Sequence, residues 1–296
     1  MSPDSRRTVL AASAASTFFG ASVVATRFVV AQTNPVSLAF LRYLVATLCL
    51  LPVLRAALQV AMPRRDLFAI GALGALFFGI FPWSFSAALV HVPASRVALM
   101  LATTPLVTLV ISRARGVESI TMSILAGQLL AIAGLWLALG PSPGSGTPDW
   151  LGYGLTLVTV LCGAMYNVFS RPYLKRYRPL HVTALSMAAG ALFLAPLAAV
   201  KGLFTVRPAF SAGGWLAVVF LGTVGGALGF ALWIWALERS TPSRVAVFIA
   251  LNPITATLLG ALLMREPVTA TFVAGLACVV GGIILANWRS SARAVS

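Results

Sequence analysis

Ser95-Arg96-Val97-Ala98-Leu99-Met100-Leu101-Ala102-Thr103-Thr104-Pro105 returns 148 residues later as Ser243-Arg244-Val245-Ala246-Val247-Phe248-Ile249-Ala250-Leu251-Asn252-Pro253. The register runs without a gap from 95–138 to 243–286, pairing Glu118 with Glu266, Gly127 with Gly275 and Gly134 with Gly282. Thirteen of these 44 positions are identical, in a register that chance apolar composition would not keep. The chain is a tandem repeat. If each half holds an odd number of membrane spans, the second half inserts upside down relative to the first. Inverted repeats of that kind are the architecture of alternating-access carriers.

Composition identifies the solvent. The 296 residues are 59% hydrophobic and 9% charged, with mean hydropathy +0.96, whereas a soluble domain carries about 25% charged residues. Ten apolar stretches lie near 8–30, 36–60, 67–90, 95–113, 120–140, 150–174, 179–200, 212–237, 243–264 and 269–288. Each has about the 20 residues that cross the hydrocarbon core as a helix. Lipid admits only helices or closed barrels, and runs without dyad alternation exclude the barrel. The expected fold is an all-α integral membrane protein, ten transmembrane helices in two inverted five-helix repeats. Pro141-Ser-Pro-Gly-Ser-Gly-Thr-Pro148 is the linker between them, giving a first repeat over 1–140, a linker over 141–149 and a second repeat over 150–296.

A net charge of +15 would suggest nucleic acid in a soluble protein. In a membrane protein, basic residues set orientation instead. With the N-terminus in the cytoplasm, fifteen of the Lys and Arg residues fall at inner ends; Arg27, Arg96, Lys201, Arg207 and Arg265 fall at outer ends. The expected placement is multi-pass in a cell (inner) membrane with both termini cytoplasmic, and no nucleic-acid partner. Arg6-Arg7 before an apolar run resembles a signal peptide. However, Gly20-Ala21 has its counterpart in Gly163-Ala164, so the segment is the first span of the repeat.

Cys49, Cys162 and Cys278 fall inside spans, and His91 and His181 near helix ends, none in a metal-ligand spacing. No cofactor pattern is present. A membrane-embedded enzyme would need paired acids, a His-Asp pair or a metal set near the interface, and the sequence offers none. All six acids, Asp4, Asp66, Glu118, Asp149, Glu238 and Glu266, lie in loops or at helix ends. A proton-coupled exporter usually keeps a titratable group in the membrane, so the absence points to uncoupled facilitated diffusion, with coupling through an end-of-helix Glu or His as the alternative. Glu118 and Glu266 are expected to hold loops through Arg113, Arg115 or Arg265.

Two five-helix halves, each carrying the run Ser-Arg-Val-Ala … Pro … Glu … Gly … Gly, resemble the EamA-type branch of the drug/metabolite transporter superfamily. The resemblance covers nearly the whole chain. It implies a ten-helix permease or exporter for amino acids and other metabolites, most similar to bacterial exporters of amino acids, aromatic ones included. The partners implied are a small-molecule substrate and the lipid bilayer; oligomeric state is left open, a monomer included.

Bent helices at matching places in two halves point to a carrier's central site. Pro105 and Pro253 each remove a backbone donor mid-span. At 100° per residue, Met100, Thr103 and Thr104 share one face, and Phe248, Asn252 and Thr255 share the equivalent one. These larger, partly polar faces are expected to line the cavity; the alternative is that the Thr hydroxyls bond back to their own helix. Phe78, Phe81 and Phe85 form a stripe beside Pro82, mirrored by Gly226, Gly229 and Trp233, and Tyr166 and Asn167 add polar groups at mid-membrane. Pro82, Pro105, Gly226, Gly229 and Pro253 are the expected hinges and gates. Arg42 is the one charge well inside a span: it meets a substrate carboxylate, or it snorkels and ties down carbonyls. Aromatic and thioether walls with a few amides suit an apolar or aromatic amino acid. A drug or nucleotide-sugar carrier is the runner-up, and a channel or scramblase a more distant one.

Overall fold

The computed structural model describes residues 3–114, 122–139, 149–205, 210–239 and 247–288. Among them every regular element is helical. Helix α1 (Pro3–Val30) is followed by α2 (Pro35–Cys49) and α3 (Leu51–Leu58), which meet at 73°. The stretch read as one span over 36–60 is therefore broken, and the cause is Pro52 in the first turn of α3. Next come α4 (Arg64–Gly74), a π-helical turn (Ala75–Ile80) and α5 (Phe81–His91) in one continuous rod. Then follow α6 (Ala94–Leu101), α7 (Thr104–Ala114) and α8 (Met122–Leu139). The second half begins with α9 (Trp150–Phe169) and α10 (Arg171–Arg176), then α11 (Pro179–Val200). It continues through α12 (Ala212–Gly222), a second π-turn (Thr223–Leu228) and α13 (Gly229–Arg239). A 3-10 turn (Val247–Ala250), α14 (Leu251–Met264) and α15 (Ala270–Trp288) complete it.

The repeat is carried into backbone geometry. Moving α4, its π-turn and α5 by 148 residues gives the bounds of α12, the second π-turn and α13. The Phe81 amide donates to the Leu76 carbonyl, five residues back, and Gly229 does the same to Val224. Pro82 explains the first widening, since it has no amide to close the usual turn. Glycines replace it in the second: Gly225, Gly226 and Gly229 line a turn with almost no side-chain bulk.

Pro105 and Pro253 act alike. The helix before Pro105 stops at Leu101, and Thr104 donates its hydroxyl to the Leu101 carbonyl at 2.6 Å. That carbonyl is the one a residue-105 amide would have bonded. Before Pro253 the chain tightens to the 3-10 turn, again at residues 148 further on.

Among the described residues, five segments are long and apolar enough to cross a membrane: Arg6–Val30, Arg64–His91, Trp150–Arg176, Pro179–Val200 and Ala212–Arg239. The bent pair α2–α3 makes a sixth, and Leu251–Met264 and Ala270–Gly282 are shorter apolar helices. Packing interleaves the halves. The α4–α5 rod lies against α9 and α11, while α12–α13 lies against α1 and α2. Likewise α7 packs on α9, and α14 on α1. Each half's third and fourth helical segments thus rest on the other half's first and second.

Helix α8 packs along α15, its own repeat-mate. Gly134 meets the Gly275 carbonyl, and Gly282 meets that of Gly127. Rising numbers on one helix meet falling numbers on the other, so these equivalent helices run antiparallel about a local two-fold axis. A methyl group at Gly134 would stand 2.6 Å from the Gly275 oxygen. Close backbone approach of this kind is what holds helices together where lipid offers no hydrophobic drive. The linker 141–148 lies outside the described residues.

Candidate solute site

The first π-turn presents Phe77 and Phe78 to the middle of the bundle. Phe77 stacks on Tyr166 of α9 with centroids 4.4 Å apart and rings 15° from parallel. Phe77 also meets Phe78 and Phe81, both at 4.9 Å. Phe230 of α13 lies 5.4 Å from Phe78 and 5.1 Å from Phe19 of α1. Phe19 reaches Trp233 at 6.3 Å, Tyr43 reaches Phe78 at 5.1 Å, and Phe81 reaches Phe85 at 6.2 Å. A continuous aromatic seam therefore crosses from one half to the other, in the offset and edge-on geometries that rings prefer.

The sequence reading placed Phe78, Phe81, Tyr166 and Trp233 on this wall, and the structure brings them together. Phe78 and Phe85 are closed off by their neighbours, at 0% and 3% exposure. Phe81, Phe77, Phe230, Phe19 and Trp233 remain partly open. Phe19, Tyr43, Phe77 and Phe230 were not among the residues expected. Phe19 carried one signal, its place beside Gly20, and Phe230 another, as the repeat-mate of Pro82.

Small residues let the outer walls approach. The Gly20 backbone faces the Asn252 carbonyl and Thr255, and Gly163 faces Thr104 and the Phe81 ring. Residues 104 and 252 are repeat-mates, so the same contact is made twice. Two of the three threonines expected to face the cavity bond to their own helix: Thr103 to the Met100 carbonyl and Thr104 to that of Leu101, each at 2.6 Å. Their hydroxyls serve the helix breaks first. Asn167 is exposed and donates to Thr108 at 3.4 Å. Met100, Phe248 and Thr255 are half-buried, Phe248 against the cluster of Ala11, Ala12 and Ala236. Pro82 and Pro253 are buried at the first turns of α5 and α14, and Pro105 stands second in α7. Gly226 abuts Ala46, and Gly229 abuts the Phe19 ring.

Arg42 does not snorkel. It is 9% exposed, its Nε has no hydrogen-bond partner, and its guanidinium lies 5.3 Å from the Tyr43 ring. Tyr43 in turn joins the seam. A buried cation without an anion is costly. The Asn252 Oδ1 is likewise buried and unbonded. One is a pure donor and the other an acceptor. Among the described residues, no group of three or more His, Cys, Asp or Glu gathers where a metal ion could sit.

The end of the molecule bearing Val92 and Arg265 is tied by polar contacts. His91 meets Asp149 at 2.7 Å, a His-Asp pair that the sequence reading did not find. Asp149 also accepts the Gly152 amide; that bond, then His91, holds its carboxyl below the usual aspartate range. Arg27 donates to the Leu89 carbonyl, and Arg96 to the Tyr153 hydroxyl at 2.9 Å. Glu266 accepts the Ala94 and Ser95 amides at 2.7 and 3.1 Å. Its expected role of holding a loop through Arg265 is replaced by capping α6. Glu118 lies outside the described residues. At the other end, Asp66 binds Arg176 at 2.9 Å and Tyr177 at 2.6 Å, which pushes the Tyr177 phenol up.

Comparison with known proteins converges on one family. The model of the EamA-like transporter family matches twice, over residues 6–140 and 150–288. An uncharacterized transporter of Archaeoglobus fulgidus is 27% identical over 91% of this chain and 94% of its own. A probable terminal-alkyne amino-acid exporter of Streptantibioticus cattleyicolor is 29% identical over 80% of this chain and 78% of its own. An uncharacterized protein of Pseudomonas aeruginosa is 30% identical over 96% and 95%. A solved crystal structure superposes with a TM-score of 0.67 over 99% of both chains at 20% identity, a likeness of fold.

Proposed function

Since the chain belongs to the EamA-like transporter family, and its relatives are named as transporters rather than enzymes, we propose that it is a secondary carrier exporting aromatic or hydrophobic amino acids by alternating access. The observation that carries the substrate class is Arg42: a buried guanidinium with no acidic partner among the described residues, joined through Tyr43 to an aromatic seam. A zwitterion with an aromatic side chain answers all three features. Its carboxylate pairs with Arg42, its ammonium donates to the Asn252 Oδ1, and its ring joins Phe77, Tyr166 and Phe230. The relative named as a probable amino-acid exporter supports the same class.

The reading takes the chain as ten spans in two inverted halves, 1–140 and 150–296 around the linker 141–149, in an inner membrane with cytoplasmic termini. Support comes from the antiparallel α8–α15 pair and the two family matches. Rocking would move α1, α2, α12, α13 and α14 against α4 to α7, α9 and α11, with Pro82, Pro105, Gly226, Gly229 and Pro253 absorbing the bend. No carboxylate lies at mid-membrane among the described residues, which favours facilitated diffusion over proton coupling.

The test is uptake of labelled phenylalanine into liposomes holding the purified protein, with and without a proton gradient. The reading predicts saturable, stereoselective uptake that other aromatic amino acids inhibit and the gradient does not drive. Uptake of a nucleotide sugar or cationic drug in its place would transfer the assignment to the runner-up. Non-saturable flux would indicate a channel or scramblase.

A further inference from the structure

The Glu266 contact is built with unusual care. Helix α14 ends at Met264, and Arg265 adopts a left-handed conformation with φ 55°, the one non-glycine residue of positive φ among those described. Side chains with a Cβ rarely hold that conformation. Here it turns the chain so that the Glu266 amide bonds back to the Gly260 carbonyl at 3.1 Å. The Glu266 carboxylate then lies over Gly260, where any Cβ would stand 2.8 Å from Oε2. From that place its two oxygens take the amides of Ala94 and Ser95, one each. These are the first two residues of α6, whose amides have no partner within the helix. The carboxylate also meets the positive end of the helix dipole. It reaches across 172 and 171 residues to do so, from the second half to the first.

The position matters more than the strength. Helix α6 leads into the break at Ala102–Thr103 and then Pro105, so its first turn is the outer end of a bent gate helix. Helix α14 is the corresponding gate of the other half. We propose that Glu266 is the latch that keeps the outer mouth of the transport path closed, by fastening the tip of one gate helix to the end of the other. This rests on the alternating-access reading above. Opening outward requires the carboxylate to release both amides. The repeat places Glu118 and Ser243 as the mates of Glu266 and Ser95.

The test reads the conformational balance directly and needs no substrate. In a background with the native cysteines replaced, Thr103→Cys reports the outer side of the path and Thr108→Cys the inner side. Each is labelled by a membrane-impermeant thiol reagent, the first from outside and the second in inverted vesicles. With Glu266→Ala, outer labelling should rise roughly tenfold or more, the shift that losing a charge-assisted hydrogen bond produces, while inner labelling falls. Opposite changes at the two ends are the signature of a latch. Unchanged labelling in well-folded protein, or labelling that rises at both ends, would overturn it. Should Glu266→Ala fail to fold, Glu266→Gln keeps the side-chain shape, loses the charge, and should show the same signs at smaller amplitude. A wrong substrate assignment would leave all of these outcomes untouched.

Discussion

Pro52 and Pro196 stand at the same place in the two halves, each seventeen residues after the proline that opens its helix, Pro35 or Pro179. Their surroundings give different outcomes. At Pro52 the rod breaks by 73° into α2 and α3; at Pro196 helix α11 continues without interruption to Val200. Along α3 only Ala57 is buried, whereas α11 buries Leu194 and Ala198 on either side of its proline. Proline removes a hydrogen bond and so permits a bend; packing along the helix decides whether the bend is taken. The same alignment sets Ala46 against Gly190 and Arg42 against Ser186. The halves share a backbone plan and differ in where they put bulk and charge.

The largest expected effect tests the exchange of bulk. Gly190 packs on Phe78, where an added Cβ would fall 2.5 Å from that of Phe78, while its mate Ala46 faces Gly226 across the equivalent crossing. Gly190→Val should destabilise the folded protein by about 1–3 kcal/mol or more, read as lost monodisperse protein on heating. Gly154→Val, with nothing within 4 Å of its Cβ, should leave the profile unchanged and serves as the control. Equal tolerance of both would remove the close α11–π-turn crossing from the account.

Next comes the gate. A Cβ on Gly229 already stands 2.9 Å from the Phe19 ring, so Gly229→Leu should abolish transport while membrane insertion stays intact. Wild-type transport by that variant would sink the hinge role of the second π-turn. The exchange of charge is tested by Arg42→Ser, which should cut phenylalanine transport at least tenfold, about the value of one charge-assisted bond. Adding Ser186→Arg should not restore it, because Ser186 is 1% exposed and backed by Gly74. Restoration would mean that the halves are interchangeable in function. The smallest effect belongs to Pro52→Ala. With α3 largely exposed, stability should change by less than about 1 kcal/mol, measured as a shift in melting temperature.

Much of this plan was legible. The repeat named the helix pairs, the prolines named the breaks, and Gly20 with Gly163 marked two contacts that the structure makes in the same way. What was hidden has one main cause. A π-turn changes the number of residues per turn, so helical phase counted through residues 75–80 drifts. The stripe of Phe78, Phe81 and Phe85 missed Phe77, which makes the closest ring contact of all. No periodicity announces a change of hydrogen-bond register. The break at Pro52 depended on neighbours distant in sequence, as did the pairing of His91 with Asp149 and of Glu266 with α6. Arg42 was visible as a buried charge, but its lack of an acidic partner among the described residues is a property of the packed bundle.

Counterflow tests the central claim most directly. Liposomes holding the protein are loaded with unlabelled phenylalanine and diluted into a trace of labelled phenylalanine. An alternating-access carrier exchanges one molecule for another, so label should accumulate transiently above its outside concentration and then decay, and Arg42→Ser should flatten the peak. A monotonic approach to equilibrium with no overshoot would contradict the account.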